Sequence, residues 1–179
     1  MKSIEAKATR DTIETEVLII GGGLVGATLA IALGSAGLKV CVVDVADPVA
    51  NLNSEFDGRV SAIALASYRI LKALDLWTSL DQDAAPILDI RVSDSDSLFF
   101  LHYDHRDTGD KAFGYMVENR NLRKALLKRL KEIDTVNLIA PASIVTLNRN
   151  TRGVEATLEN GQKIRARLSV AADGRSSKT

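Results

Sequence analysis

The residues of this sequence best suited to bind a ligand form a glycine-rich run at positions 21–26. The run reads GGGLVG and matches the G-x-G-x-x-G pattern, in which Gly21 allows a tight turn, Gly23 admits a diphosphate close to the backbone and Gly26 lets a helix pack on a strand. The N–H groups and dipole at the start of that helix attract the same phosphates. The run therefore predicts a site for the diphosphate of a dinucleotide.

The elements around this run have the order that such a site requires. Residues 17–20 and 40–43 are short apolar runs typical of buried strands, and residues 24–35 between them have apolar side chains at helical spacing. Together they predict a βαβ unit with parallel strands. Asp44 ends the second strand at the distance where an acidic residue binds a ribose hydroxyl. The alternative, a glycine turn without a ligand, leaves four glycines in six residues unexplained.

Beyond Asp44 the pattern departs from a simple repeat of this unit. We predict a helical stripe from Ile63 to Leu74, a hairpin of strands 87–92 and 98–103 around the turn-rich residues 93–97, and a helix over 120–132 capped by Asn119. An NAD domain normally continues with alternating helices and strands. The inserted elements therefore favour FAD.

The last third of the chain predicts a series of strands. Their ranges are 136–139, 144–148, 154–159 and 163–171, with an Asn-Gly hairpin turn at 160–161.

Several further motifs resemble those of one known family. In one-letter code they are FDGR at 56–59 with AIAL at 62–65, VSD at 92–94, ENR at 118–120 with Leu122, and VAADG at 170–174 with Ser176. With the glycine run, they resemble the ubiquinone-biosynthesis hydroxylases, flavoprotein monooxygenases related to para-hydroxybenzoate hydroxylase. The resemblance spans about residues 16–177 and implies a Rossmann-like α/β FAD-binding domain, with a parallel central sheet, hairpin and meander insertions, and helices on both faces.

The resemblance also implies roles for individual residues. Arg59 approaches the flavin or its pyrophosphate, and Arg120 is a second cofactor contact. Asp173 and Gly174 lie around the pyrophosphate and take part in binding reduced nicotinamide. Taken alone, a single arginine is more often a surface residue, and an Asp-Gly pair is an ordinary turn. The family usually has Glu where this chain has Asp44, which leaves open whether the shorter side chain binds both ribose hydroxyls.

The activity that the resemblance implies is hydroxylation of an aromatic ring with FAD, NAD(P)H and oxygen. The substrate is a polyprenylated phenol on the route to ubiquinone, and no residue is assigned as a catalytic acid or base. The family has a later Gly-Asp motif and a separate covering sheet, and neither follows Thr179 here. We therefore expect a mobile leader over residues 1–15 and an FAD-binding portion over 16–179 that, alone, binds FAD weakly or incompletely and is inactive. Its uncovered sheet edge and apolar surface favour self-association.

Two other functions fit the glycine run. One is an NAD(P)-dependent dehydrogenase whose Asp44 selects the cofactor, and the other is a non-catalytic nucleotide-binding or assembly module. FAD binding separates the first of these from the oxygenase hypothesis.

Composition narrows the partners further. The 23 basic and 23 acidic residues balance, so nucleic acid is not an expected partner. The lone Cys41 excludes an internal disulfide and, in its apolar run, is expected to be buried and inert. Without a bilayer-length apolar stretch or a signal-like leader, we expect a cytoplasmic protein whose full enzyme meets a membrane surface through its substrate. His102 and His105 lack converging ligands, so no metal site is expected.

Overall fold

The computed structural model describes residues 12–52, 58–95, 99–109, 111–177 and 179. Within them, one unit comprises the chain up to Val49 together with residues from Leu130 onward, and a second unit comprises Ala50–Arg129. The helices and strands in chain order are β1 (Ile13–Ile20), α1 (Leu24–Ser35), β2 (Val40–Val43), β3 (Val60–Ala64), α2 (Leu65–Ala73), β4 (Ala85–Ile87), β5 (Asp89–Ser93), β6 (Phe100–Asp104), β7 (Gly114–Glu118), α3 (Asn119–Lys131), β8 (Val136–Ile139), β9 (Ile144–Asn150), β10 (Gly153–Leu158) and β11 (Lys163–Ala171).

The first unit is built on a six-stranded sheet with strand order β8-β2-β1-β11-β10-β9. Strands β8, β2, β1 and β11 pair in parallel, whereas β11, β10 and β9 form an antiparallel meander. Every residue of β2 is buried, as expected for a strand covered on both faces. The prediction of an α/β domain with a parallel central sheet and meander strands is confirmed.

Apolar side chains from distant strands form the core of this unit. Leu18 of β1 and Cys41 of β2 pack in one cluster with Leu158 and Ile164 of the meander, and Leu18 and Ile164 are fully buried. Burying one such side chain stabilises a fold by about 1.5–3 kcal/mol. The cluster therefore ties the meander to the βαβ unit.

Strand β1 begins at Ile13, four residues before the apolar run that predicted it. It pairs with β11 from Ile13 opposite Ile164 onward, and the Thr15 hydroxyl donates a hydrogen bond to the Lys39 carbonyl at 2.8 Å. The alternating polar residues at this end belong to a partly exposed strand, which an apolar run cannot indicate. The expected leader over residues 1–15 thus overlaps β1 by three residues, and residues 1–11 lie outside the described residues.

The second unit contains two small antiparallel sheets, the helix α2 and the part of α3 up to Arg129. Strands β3, β7 and β4 form one sheet, and β5 pairs with β6 in the other. The rings of Tyr68, Trp77 and Tyr115 contact one another at centroid distances of 4.6–5.0 Å, and the Trp77 indole N–H donates to Asp81 at 2.8 Å. This aromatic cluster joins α2 to β7.

One prediction for this region was wrong, and one strand was missed. Ile63 lies in β3 and not in a helix, since α2 begins at Leu65, and β7 was not predicted. Residues 60–64 form a strand because they pair antiparallel with β7, with Ile63 opposite Tyr115. At Gly114 the two strands approach so closely that a Cβ atom would overlap the Ile63 carbonyl oxygen. A pairing across some fifty residues leaves no local sequence signal.

The other predicted elements are present with shifted ends. The hairpin is confirmed as β5 and β6, although its turn residues 96–98 lie outside the described residues. Helix α3 and the four last strands are also confirmed, and Gly161 in the Asn-Gly turn has a φ of 84°. Asn119 is the first residue of α3, and its side-chain oxygen accepts a hydrogen bond from the Ser61 hydroxyl at 2.5 Å. No helix in the described residues is long and apolar enough to span a bilayer.

Cys41 is buried in β2, as the sequence predicted. Burial disfavours the thiolate and raises the pKa of the thiol from 9.0 to about 12. The native protein should therefore not react with a thiol reagent such as DTNB at pH 8, whereas the denatured chain should react with one equivalent. Because the folded-state pKa is raised, the contribution of Cys41 to stability is complete below about pH 9 and is lost as the pH rises toward 12. Fast labelling of native protein at pH 8 would contradict this burial.

Candidate cofactor-binding site

The glycine run connects β1 to α1 by a turn that requires a glycine at position 21. Gly21 has a φ of 105°, and a Cβ atom on it would overlap the carbonyl oxygen of Ala172. Its N–H donates to the Val43 carbonyl at 2.8 Å. Gly21 therefore brings the ends of β1, β2 and β11 together at one edge of the sheet.

The other two pattern glycines have different surroundings. A Cβ atom on Gly26, in the first turn of α1, would overlap the Gly21 carbonyl oxygen, whereas one on Gly23 would have no atom within 4 Å. Gly26 thus permits the close approach of helix and turn. Gly23 borders open space, as expected where a diphosphate approaches the backbone.

The N-terminus of α1 is suited to an anion. Gly23 occupies the cap position, where no side-chain hydrogen bond is made, and the first turn has no acidic residue. The first N–H groups of a helix have no acceptor within the helix and point toward its N-terminal end. An anion at this end therefore meets hydrogen-bond donors and the positive end of the helix dipole.

Asp44 follows β2 and lies against the glycine turn. One carboxylate oxygen, Oδ2, accepts a hydrogen bond from the Gly22 N–H, and the other, Oδ1, accepts one from the Ala46 N–H at 2.7 Å. The backbone of Asp44 is bonded to that of Ile139 at 3.1 Å and of Ala142 at 2.8 Å. The carboxylate is therefore fixed beside the turn by hydrogen bonds from two backbone N–H groups.

Asp173 and Gly174 follow β11 at the same edge. The Ala172 N–H donates to the Ile20 carbonyl at 2.7 Å, which continues the β1–β11 pairing to the glycine turn. The Asp173 carboxylate accepts hydrogen bonds from the hydroxyls of Ser177 at 2.7 Å and Thr179 at 2.9 Å. Gly174 has a φ of 79° and open space where a Cβ atom would lie.

These segments surround one cavity of about 250 Å³. It brings together Gly21, Gly23, Asp44, Asp173 and Gly174 of the predicted site residues. Its other lining residues, which were not predicted, are Ile20, Val43, Val45, Ala142, Ile144 and Ala172. Val45 follows Asp44 directly, and Ala142 follows the parallel strand β8, so the rule that ligands bind at the carboxyl ends of parallel strands could have indicated both.

Arg59 and Arg120 lie in the second unit, close to each other. Val60 and Glu118 are paired at the ends of β3 and β7, and the Asn119 N–H donates to the Arg59 carbonyl at 3.0 Å. Arg120 forms an ion pair with Glu118 through its Nε. Phe56 and Asp57 of the motif that contains Arg59 lie outside the described residues.

The two histidines have other contacts. His102 Nε2 lies 2.6 Å from Asp89 Oδ1 on the exposed β5–β6 hairpin, and His105 Nδ1 lies 3.1 Å from the Leu88 carbonyl oxygen. In the part of the chain that the structure describes, no group of three or more His, Cys, Asp or Glu side chains could hold a metal ion.

A family model described as "FAD binding domain" matches residues 14–179. The chain belongs to the FAD-binding domain family. This finding confirms FAD as the cofactor.

The relatives of this FAD-binding chain include ubiquinone hydroxylases. It is 52% identical over 162 residues to ubiquinone hydroxylase UbiL of Rhodospirillum rubrum, which covers 90% of this chain and 38% of the relative. It is 34% identical over 165 residues to 3-demethoxyubiquinol 3-hydroxylase of Escherichia coli, which covers 91% of this chain and 42% of that protein. The FAD-binding chain thus spans about two fifths of the length of these curated relatives.

Solved structures of monooxygenases share the fold of this FAD-binding chain. PqsL of Pseudomonas aeruginosa, described as a probable FAD-dependent monooxygenase, matches with a TM-score of 0.72 and 26% identity over 92% of this chain and 44% of that one. The p-nitrophenol 4-monooxygenase PnpA of Pseudomonas putida matches with a TM-score of 0.74, 21% identity and coverage of 94% and 42%. The second likeness concerns the fold alone.

Proposed function

We propose that this chain binds the ADP portion of FAD in the cavity of the first unit, as part of an aromatic-ring hydroxylase of ubiquinone biosynthesis. The observation that carries the proposal is the convergence of the glycine turn, Asp44 and the Asp173–Gly174 turn on one cavity. Their backbones arise from β1, β2 and β11 at the carboxyl edge of the parallel strands, where α/β folds bind nucleotides.

The walls of the cavity match the parts of the nucleotide. The diphosphate fits the open space at Gly23 and the uncapped start of α1. Val45, Ala142 and Ile144 form an apolar wall suited to the adenine ring. We assign the ribose to the region of Asp44, between these two parts.

In the complete hydroxylase, FAD supplies the redox chemistry by which electrons from NAD(P)H activate oxygen for transfer to an aromatic ring. The residues of this chain bind and orient the cofactor. We propose Arg59 and Arg120 as further cofactor contacts, and Asp173 with Gly174 as the part near which reduced nicotinamide binds. The relatives named ubiquinone hydroxylases support a polyprenylated phenol as the substrate. Such a substrate favours a cytoplasmic enzyme that acts at a membrane surface.

Titration of FAD with the purified chain tests this function. We expect a saturable change in flavin fluorescence and competition by ADP, but none by FMN, because FMN lacks the adenosine that the cavity accommodates. Isothermal titration with the same ligands gives the stoichiometry, expected to be one. Absence of FAD binding, or tighter binding of NAD⁺ than of FAD, would contradict the proposal.

A further inference from the structure

We propose that Asp44 serves nucleotide binding mainly as a positioning residue. It fixes the orientation of the peptide between Gly21 and Gly22, and thereby the shape of the turn whose Gly21 and Gly23 line the cavity. Binding of the ribose hydroxyls is its lesser contribution. This inference rests on the proposed function, since it assumes that the ADP portion of FAD binds at the glycine turn. It assigns to Asp44 a different role from the ribose contact that the sequence pattern predicts.

The Gly21–Gly22 peptide has a close contact at each of its ends. Its N–H, on Gly22, donates to Asp44 Oδ2, and its carbonyl oxygen, on Gly21, lies where a Cβ atom on Gly26 would overlap it. Neither residue of this peptide has a side chain, so steric contacts of its own hardly restrict its rotation. The orientation of the peptide therefore depends on the contacts at its two ends.

Asp44 is well placed to select that orientation. The hydrogen bonds of its backbone to Ile139 and Ala142 and of its Oδ1 to the Ala46 N–H keep the carboxylate from moving away. A hydrogen bond to an ionised acceptor is about twice as strong as a neutral one. In a flipped peptide, the Gly21 carbonyl oxygen would turn toward the carboxylate, and the two would repel each other.

The same contact explains the glycine at position 22, which the G-x-G-x-x-G pattern leaves variable. A Cβ atom on Gly22 would lie 3.1 Å from Asp44 Oδ2 and 3.2 Å from Asp44 Cβ, closer than side chains usually approach. The short Asp44 side chain is thus directed against the turn. Of about four lone-pair positions on an ionised carboxylate, the Gly22 and Ala46 N–H groups occupy one on each oxygen.

Two ligands that differ only in the ribose test this assignment with the unaltered chain. We expect the dissociation constants of ADP and 2′,3′-dideoxy-ADP to agree within about threefold, the effect of a weak net hydrogen bond. A loss of tenfold or more on removal of the hydroxyls would overturn the assignment. If neither ligand nor FAD binds, the proposed function fails and the assignment fails with it, so the two failures are distinguishable.

An Asp44→Asn variant tests the contact itself. The neutral amide has one acceptor oxygen, whereas two N–H groups now bind the carboxylate. We therefore expect the variant to lose affinity for ADP and for 2′,3′-dideoxy-ADP by the same factor, about ten- to a hundredfold. The Gly22 amide proton should move upfield in the NMR spectrum of the variant. Asp47→Asn is the matched control, because it removes the same charge three residues away, and it should keep both affinities. A loss of affinity confined to ADP, or an unchanged Gly22 resonance, would overturn the assignment. Thermal unfolding without ligand checks that the variant is folded. If it is not folded, the comparison of the two ligands on the unaltered chain decides the role of Asp44.

Discussion

A Gly26→Ala variant is expected to lose FAD binding together with a large part of its stability. The added methyl group would overlap the Gly21 carbonyl oxygen, and a backbone atom cannot move aside as the end of a flexible side chain can. Overpacking of this kind costs about 3 kcal/mol or more when the backbone itself must shift. Urea denaturation of the unliganded variant gives the free energy of unfolding, and flavin fluorescence gives the affinity.

Val25→Ala is the control for this substitution. Val25 belongs to the same helical turn and is 76% exposed, so its truncation should change the free energy of unfolding by no more than about 0.5 kcal/mol. Native-like stability of Gly26→Ala would show that α1 does not pack against the turn as described.

Gly23→Ala should also lose FAD binding but, unlike Gly26→Ala, should retain the stability of the fold. The backbone angles of Gly23, φ −67° and ψ −170°, suit alanine, and the new methyl group would meet no atom within 4 Å. It would instead fill the space through which a diphosphate approaches the backbone. We expect an unfolding temperature close to that of the unaltered chain and FAD affinity reduced by about a hundredfold, the equivalent of about 3 kcal/mol.

The two glycine variants form a matched pair, because each adds one methyl group to the same glycine run. Only the Gly26 substitution should destabilise the unliganded protein. If Gly23→Ala binds FAD as tightly as the unaltered chain, the diphosphate does not lie against Gly23, and the proposed site is wrong.

The parts of the fold that sequence reasoning predicted are those with local patterns. Two such parts are the βαβ unit around Gly21 and the meander strands joined by the Asn-Gly turn at Gly161. In each, regularly spaced apolar residues flank a characteristic turn. Strands β3 and β7 lack such a signal, because their stability comes from pairing across some fifty residues and from the close approach at Gly114. The apolar spacing of Ile63 with the residues of α2 therefore resembled the start of a helix.

The candidate site could also be predicted only in part. Gly21, Gly23 and Asp44 follow from spacing alone, whereas Asp173 and Gly174 required the family resemblance to distinguish them from an ordinary turn. Ala142 could be inferred only from its place after a parallel strand, and Ile144 lines the cavity because β9 begins at the edge where β8 ends. The hydrogen bond that the Gly22 N–H donates to Asp44 could not be predicted. Sequence spacing places a carboxylate near the turn but does not indicate which groups it contacts.

The parallel pairing of β1 with β11 also determines when the nucleotide site can first exist during synthesis. Residues 13–20 pair with residues 164–171, and Gly21 packs against Ala172. Closing so long a loop is slow and carries an entropic cost. In a growing polypeptide, β1 therefore cannot pair with β11 until nearly all of this chain has left the ribosome. Residues 50–129, which form a separate unit, emerge before the first unit can close.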